Sequence, residues 1–336
     1  MRTTKASAIQ TSALHLLDAD DYHTALLKAI KSAKHRVVVA AMILVWGERT
    51  APIFEALQGA VKRGVAVTIL LDNYTRLSAA YHLRPRTTRS ERVRRTFETI
   101  EQLSSLGATV YCYGKIGLLP HKGRCHVKIS IVDDTYYSFG GINIVDQSFS
   151  AHDFMFRGEN PKIANTLEAI VTDIGTKSPP LPDNEIQLTD QHALLFDGGR
   201  PGHSLIYERA CELAAQATRL YCVTQFTPSG PLAKLMHETE AVSYFNRPEQ
   251  LVAPDAWGQA FDQQRYRLPN AYTGTTYIHA KFIIAKLRSG QYASLTGSHN
   301  FSYRGVAFGT QEIALYSTDK AVWERLHSYM QALIQP

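Results

Sequence analysis

Two stretches of the chain place the same reactive side chains at the same spacing. HVKISIVDDTYYSFGGIN, residues 126–143, sets His126 and Lys128 two apart on an apolar run and closes with Gly-Gly-x-Asn. HAKFIIAKLRSGQYASLTGSHN, residues 279–300, repeats the design with His279, Lys281 and a Gly-Ser-x-Asn close. A lone His-x-Lys among 13 histidines is close to chance, whereas the joint recurrence needs a common cause. The chemistry these groups suit is that of phosphate. Histidine can attack phosphorus or move a proton near neutral pH, while lysine and asparagine donate to non-bridging oxygens. If one histidine attacks and another protonates the leaving oxygen, a site needs two, and a duplicated half-site supplies both. An attacking imidazole must also be oriented, usually by a carboxylate at its other nitrogen. Asp153 and Glu312 follow the Asn of their respective copies, where a next strand should begin, and are the expected orienting acids.

The elements that position these groups can be read from periodicity. Side chains two apart on a strand share a face, so His126, Lys128 and Ser130 point one way and Val127, Ile129 and Ile131 the other. His279 and Lys281 oppose Ala280, Phe282 and Ile284 in the same manner. Each strand should turn and return antiparallel, with Asn143 opposite His126 and Asn300 opposite His279. The turn centres then fall between Asp134 and Thr135, and between Ser289 and Gly290. In that register Gly141 lies across from Lys128 and Ser298 across from Lys281, small residues that would leave room for a ligand.

Around the two hairpins the chain alternates helix and strand patterns, which suggests α/β construction. TALLKAIKSAKH, PIFEALQGAVKRG and ETIEQLSSLG have helical spacing; HRVVVAAMILVW, VAVTILLD and ATVYCYG are strand-like. GTKSPPLPDNEIQLTD, residues 175–190, lacks periodicity, contains three prolines and reads as a linker. Beyond it the order restarts, LIYERACELAAQATRLYCVTQFTP resembling ALLKAIKSAKHRVVVAAMILVWGE in its helix-then-strand sequence. An internal duplication is expected, with a first domain over 1–174 and a second over 191–336.

The bulk composition narrows the class. With 336 residues, 45% hydrophobic and 20% charged, the chain is long enough for two globular domains. Its longest apolar run, residues 37–46, is about half what a bilayer crossing needs. The start lacks the apolar core of a secretory signal, so a cytoplasmic location is expected. Four cysteines without CxxC spacing imply reduced thiols rather than a disulfide scaffold. A net charge of +6 favours a polyanionic or phosphate-bearing partner. Residues 75–97 concentrate seven arginines (76, 84, 86, 89, 92, 94 and 95) against Glu91. Such a segment would draw anionic lipid headgroups or nucleic acid, and charge alone does not choose between them.

The paired motifs resemble the phospholipase D superfamily, whose signature is His-x-Lys-x4-Asp followed by Gly-Gly/Ser-x-Asn. The first copy matches through His126, Lys128, Asp133, Gly140, Gly141 and Asn143; the second matches through His279, Lys281, Gly297, Ser298 and Asn300, with Lys286 where the aspartate belongs. The flanks KRGVAVTILLDNYT, TQFTPSGPLAKL and HDFMFRGENP look most like bacterial cardiolipin synthases. The resemblance implies two α/β/α halves related by a pseudo-twofold, a site at their interface, and catalysis without metal or other cofactor. It also implies a phosphohistidine on His126, with His279 as general acid. Lys128, Lys281, Asn143 and Asn300 would hold the phosphoryl oxygens, and Asp133 joins the catalytic set by its place in the motif. The expected function is a phosphatidyltransferase or phosphodiesterase acting on anionic glycerophospholipid, as a monomer that is soluble or peripheral on the inner membrane face. A metal-independent nuclease of the same superfamily, or a binding module decayed at Lys286, are the alternatives.

Overall fold

The computed structural model describes residues 14–76, 86–115, 122–134, 136–253 and 255–334, with only the backbone course at 86–90 and 334. Among the described residues, fourteen strands form two seven-stranded mixed sheets. The first contains β1 (His15–Asp18), β2 (Arg36–Ala41), β3 (Ala66–Asp72), β4 (Thr109–Tyr113), β5 (Ile129–Val132), β6 (Tyr136–Gly140) and β7 (Phe154–Glu159), in the order β1-β7-β6-β5-β2-β3-β4. The second contains β8 (Asn184–Thr189), β9 (His192–Gly198), β10 (Ala217–Val223), β11 (Glu240–Tyr244), β12 (Phe282–Leu287), β13 (Tyr292–Gly297) and β14 (Gln311–Ser317), in the order β8-β9-β14-β13-β12-β10-β11. Read together, the two orders share a core of six equivalent strands. The first sheet adds β4 at one edge and the second adds β8 at the opposite edge. The duplication expected from helix and strand order is therefore present in the topology.

The helices are α1 (Ala19–Ser32), α2 (Ala51–Lys62), α3 (Arg86–Ser105), α4 (Pro161–Thr176), α5 (Leu205–Gln216), α6 (Pro231–His237), α7 (Asp255–Tyr266), α8 (Tyr303–Phe308) and α9 (Lys320–Ile334). Their starts follow local chemistry. Asp18 accepts from Asp21 N at 2.9 Å at the head of α1, Asn160 accepts from Lys162 N and Ile163 N before Pro161 opens α4, and Ser204 accepts from Tyr207 N at the head of α5. The buried face of α4 (Ile163, Leu167, Ile170, Val171, Ile174) belongs to a hydrophobic cluster that also takes in Phe154, Phe282, Ile284 and Leu315. That cluster draws on both sheets, so the halves share a core. Among the described residues, no helix is long and apolar enough to cross a membrane.

Three sequence expectations change. Of residues 175–190, read as linker, Asn184–Thr189 form β8 and pair antiparallel with β9. The three prolines end at Pro182, after which backbone donors are available again. The hairpin registers are each one residue off: Lys128 lies across from Gly140, whose N–H it accepts, and Lys281 across from Gly297. Odd-numbered turns cause this, the first turning through Asp133 in the left-handed region at φ 53°. His126 and Lys128 also precede β5, and His279 and Lys281 precede β12, on extended segments just outside the ladders.

Asp133 itself is a turn residue. Its carboxylate accepts from the backbone N–H groups of Lys34 (3.2 Å), His35 (2.8 Å) and Arg36 (3.2 Å), at the far end of the hairpin from His126. Those donors hold its carboxyl below the usual range, outweighing the slight burial that acts the other way. The catalytic placement of Asp133 is thus corrected: it ties β5 to the start of β2. Lys286, at the matching motif position, is exposed on β12 opposite Tyr292 and Arg219, so an acid missing there removes nothing from the histidine end. Asp133→Ala should cost about 1–3 kcal/mol of stability, from three lost hydrogen bonds and a left-handed alanine. Urea unfolding should register this loss while turnover by the folded fraction stays at the wild-type level.

Candidate active site

The two sheets meet through a pair of symmetric backbone bridges. Cys125 pairs with Gln311, and His152 with Ile278, each in parallel sense. His126 N donates to Gln311 O at 2.8 Å and Gln311 N to Arg124 O at 2.8 Å; His279 N donates to His152 O at 2.9 Å and His152 N to Tyr277 O at 2.9 Å. One residue beyond each bridge stand a histidine from one half and a carboxylate from the other. His126 Nδ1 lies 2.9 Å from Glu312 Oε2, and His279 Nδ1 lies 2.5 Å from Asp153 Oδ2. Both acids orient a histidine, but across the pseudo-twofold. Each acid serves the histidine of the opposite copy, because the bridges align each histidine strand with the acid-bearing strand of the opposite half.

Geometry sets the tautomer. An ionised carboxylate only accepts, so Nδ1 carries the proton in both pairs and Nε2 is left as the basic, reactive nitrogen. Burial, with Lys128 and Lys281 close by, drives the His126 imidazole well below its usual range. Burial and then Lys281 bring His279 down to about 4. The acids differ in the opposite sense. Burial pushes Glu312 up despite His299 and Lys128 nearby, whereas for Asp153 burial is outweighed by Lys281 and His279 and its carboxyl is held below the usual range. The two pairs are symmetric in position and their acids are shifted in opposite directions.

Lys128 and Lys281 are each only 1% exposed. Lys128 Nζ donates to His126 O at 2.7 Å, and Lys281 Nζ donates to His279 O. Each ammonium is thus folded back against the backbone of its own histidine. Burial, reinforced by the neighbouring Lys281, lowers Lys128 to about 7, and burial lowers Lys281 to about 8. Ammonium groups so poorly solvated gain more from an anionic ligand than exposed ones do. Asn143 is buried, with Oδ1 accepting from Ile43 N at 3.1 Å, which leaves its Nδ2 as the donor end. The Asn300 side-chain oxygen is buried without a partner. A half-turn of that amide exchanges its ends and brings donors to the same place. Among the described residues, no group of three or more His, Cys, Asp or Glu side chains is placed to hold a metal ion.

Gly141 and Ser298 have a different task from the one expected. A Cβ on Gly141 would lie 2.2 Å from Asp153 Oδ1, so the missing side chain makes room for the carboxylate rather than for a ligand. At the equivalent place Ser298 Oγ donates to Glu312 Oε2 and accepts from Ile313 N at 3.0 Å. One half clears space for its acid; the other hydrogen-bonds it.

Sequence reasoning missed a supporting layer. Asp72, fully buried at the end of β3, accepts from Cys125 N at 2.7 Å and pairs with Arg124 at 2.8 Å. Burial pushes its carboxyl up to about 6 although Arg124 pulls the other way. The equivalent Asn246 accepts from Ile278 N at 2.8 Å and donates to Ile278 O at 2.7 Å. Each residue fixes the segment immediately before a histidine. Superposing the two halves in sequence, with TILLD over VSYFN, would have exposed the pair. His299 was also missed: it is buried, accepts from Phe301 N at 2.9 Å and sits beside Glu312.

Of the seven arginines expected to draw an anionic partner, Arg84 and the side chains of Arg86 and Arg89 lie outside the described residues. The other four have partners within the chain. Arg76 stacks on Phe97 at 3.7 Å, Arg95 covers Trp46 at 4.4 Å, Arg92 pairs with Asp146 and Arg94 with Glu98.

Residues 26–174 match the family model described as "Cardiolipin synthase, PLD-like domain". Over those residues the chain is similar to the phospholipase D-like domain of the cardiolipin synthases. Cardiolipin synthase B of Salmonella typhi is 25% identical over 170 residues, which cover 49% of this chain and 38% of that protein. The match therefore spans well under half the length of that curated relative. Among solved structures, phosphatidylserine synthase of Haemophilus influenzae Rd KW20 superposes over 98% of this chain and 87% of its own, with TM-score 0.71 and 14% identity. Polyphosphate kinase from Porphyromonas gingivalis superposes over 96% of this chain and 51% of its own, with TM-score 0.61 and 10% identity. These likenesses show that the fold is shared across nearly the whole chain.

The tight fit around Asp153 predicts that Gly141→Ala displaces this carboxylate and, through it, His279. A shift of about 1 Å at a catalytic group costs on the order of a hundredfold in rate. Any turnover that depends on His279 should fall by that order while circular dichroism and the unfolding midpoint show a folded protein.

Proposed function

We propose that the chain is a phosphatidyltransferase or phosphodiesterase of the phospholipase D type, acting on anionic glycerophospholipid through a phosphohistidine at His126. The observation that carries this reading is the crossed pair of buried His–carboxylate contacts, set beside two buried lysines. Two imidazoles, each held at Nδ1 by an acid and backed by acids shifted in opposite directions, suit a double displacement.

In the first step His126 Nε2 attacks phosphorus and the P–O bond to the leaving group breaks. His279 Nε2 gives its proton to the departing oxygen. In the second step the now neutral His279 takes a proton from an alcohol or water, whose oxygen attacks phosphorus and breaks the P–N bond. Lys128, Lys281, Asn143 and Asn300 hold the non-bridging oxygens and offset the charge that grows on them. The assignment of roles follows the asymmetry of the pairs. An acid held ionised, Asp153, favours the protonated imidazole a general acid needs, and the anionic substrate raises the proton affinity of His279 further. His126, lowered by burial and paired with an acid whose own proton affinity is raised, suits the neutral nucleophile.

Incubation with phosphatidylglycerol, with and without an added primary alcohol, followed by resolution of the lipids, tests this directly. His126→Ala should lower turnover by at least about a thousandfold, as loss of a covalent nucleophile does. Wild-type protein that leaves phosphatidylglycerol intact, or turns it over equally well without His126, would refute the reading. The pH dependence gives a separate check. The lysines must be charged to hold phosphate, and their burial lowers them to about 7 and about 8. The value of kcat/KM, which reports the free enzyme, should fall above about 4 as His279 loses its proton, and fall more steeply as pH rises through the lysine range. A decline whose slope does not change there would remove the lysines from phosphate binding.

A further inference from the structure

The helix α7 is built inside out. At about 100° per residue, Gln259 and Asp262 fall on one side and Trp257 and Phe261 on the other. The polar pair faces inward, Gln259 being 0% and Asp262 6% exposed, while the aromatic pair faces out, with Trp257 73% and Phe261 59% exposed. A helix on a water-facing surface has the reverse arrangement. The inward contacts are specific. Gln259 accepts from Thr227 N at 2.9 Å and donates to Asn246 O at 2.6 Å, and Asp262 pairs with Arg304 at 3.0 Å. The polar face is therefore held in place, and the aromatic face cannot turn inward without breaking it.

The outward half of α7 carries Trp257, Ala260, Phe261, Gln264 and Arg265 and no carboxylate. Tyr303, 40% exposed, precedes the Arg304 that anchors this helix. Aromatic rings flanked by arginine are the composition of a helix that lies at a membrane interface, and the absence of acids suits an anionic surface. The helix also stands close to the chemistry. Asn246, gripped by Gln259, holds Ile278, the residue before His279; Tyr277 stacks on the His279 ring with centroids 6.4 Å apart.

We propose that α7 is an interfacial anchor that seats Trp257 and Phe261 in the headgroup region of an anionic phospholipid bilayer, bringing the histidine pair to the surface from which its substrate comes. The choice of a bilayer as occupant rests on the phospholipid reading above, and the test separates the two.

The full-length chain is mixed with vesicles of phosphatidylcholine alone or containing phosphatidylglycerol, and binding is read by sedimentation and tryptophan emission. The anchor predicts co-sedimentation with the anionic vesicles and a blue shift that is absent in Trp257→Phe. A Trp257→Ser/Phe261→Ser variant should lose about tenfold or more in vesicle partition, while its turnover of a short-chain substrate below its micellar concentration stays at the wild-type level. Unchanged partition of that variant, or bound protein whose emission does not depend on Trp257, overturns the proposal. A concentration-dependent dimer abolished by the double substitution, with no response to vesicles, overturns it too and assigns the face to a second copy of the chain. Trp257-dependent vesicle binding without turnover of any lipid would uphold the anchor and refute the phospholipid chemistry.

Discussion

Everything at the centre of this molecule depends on a hydrogen bond that neither half can make alone. Each catalytic candidate histidine is oriented by a carboxylate from the other half, His126 by Glu312 and His279 by Asp153. The backbone bridges at Cys125–Gln311 and His152–Ile278 fix the strand alignment that makes this possible. A residue next to a bridge has little freedom, so the imidazoles are positioned by the same contacts that join the sheets. Assembly of the halves and assembly of the site are one event. The shared hydrophobic cluster around Phe154, Phe282 and α4 supplies the apolar burial that holds this junction against the cost of desolvating two lysines and two acids.

Duplication explains the symmetry of the site, and divergence explains its direction. Two identical half-sites would leave attacker and proton donor undefined. Here the supporting residues differ pair by pair: Gly141 beside Asp153 against Ser298 beside Glu312, and Asp72 with Arg124 against a neutral Asn246. His299 stands beside Glu312, while the equivalent place in the first half is Ile142. The outcome is an ionised acid behind one histidine and an acid with raised proton affinity behind the other. These small substitutions lie around the orienting acids and the backbone before each histidine, and they accompany the opposite shifts of the two acids.

Much of this was legible in the sequence because it depends on local spacing. His-x-Lys on extended chain, the returning Gly-rich segment and the helix-strand order all follow from short-range rules, and they led to both histidines, both lysines and both acids. What local rules do not carry is which half a contact comes from. Asp153 and Glu312 were visible as orienting acids, but their exchange depends on how two sheets align, which no spacing encodes. A turn one residue longer or shorter shifts the register of a whole hairpin, so spacing alone places Gly141 and Ser298 toward a ligand rather than the acids. Asp133 was drawn into the site by motif position alone, although its carboxylate is spent on Lys34, His35 and Arg36 backbone donors. The Asp72 and Asn246 clamps stayed hidden because only a comparison of the halves makes them a pair.

The exchange of acids is open to direct observation. Nitrogen-15 spectra of the histidine rings distinguish the tautomer and hydrogen bonding of each imidazole, and His126 and His279 can be assigned by substitution. Glu312→Gln should perturb the Nδ1 resonance of His126 and leave that of His279 in place, while Asp153→Asn should do the reverse. If Asp153→Asn perturbs His126, or Glu312→Gln perturbs His279, each acid serves its own half and the crossed arrangement is wrong.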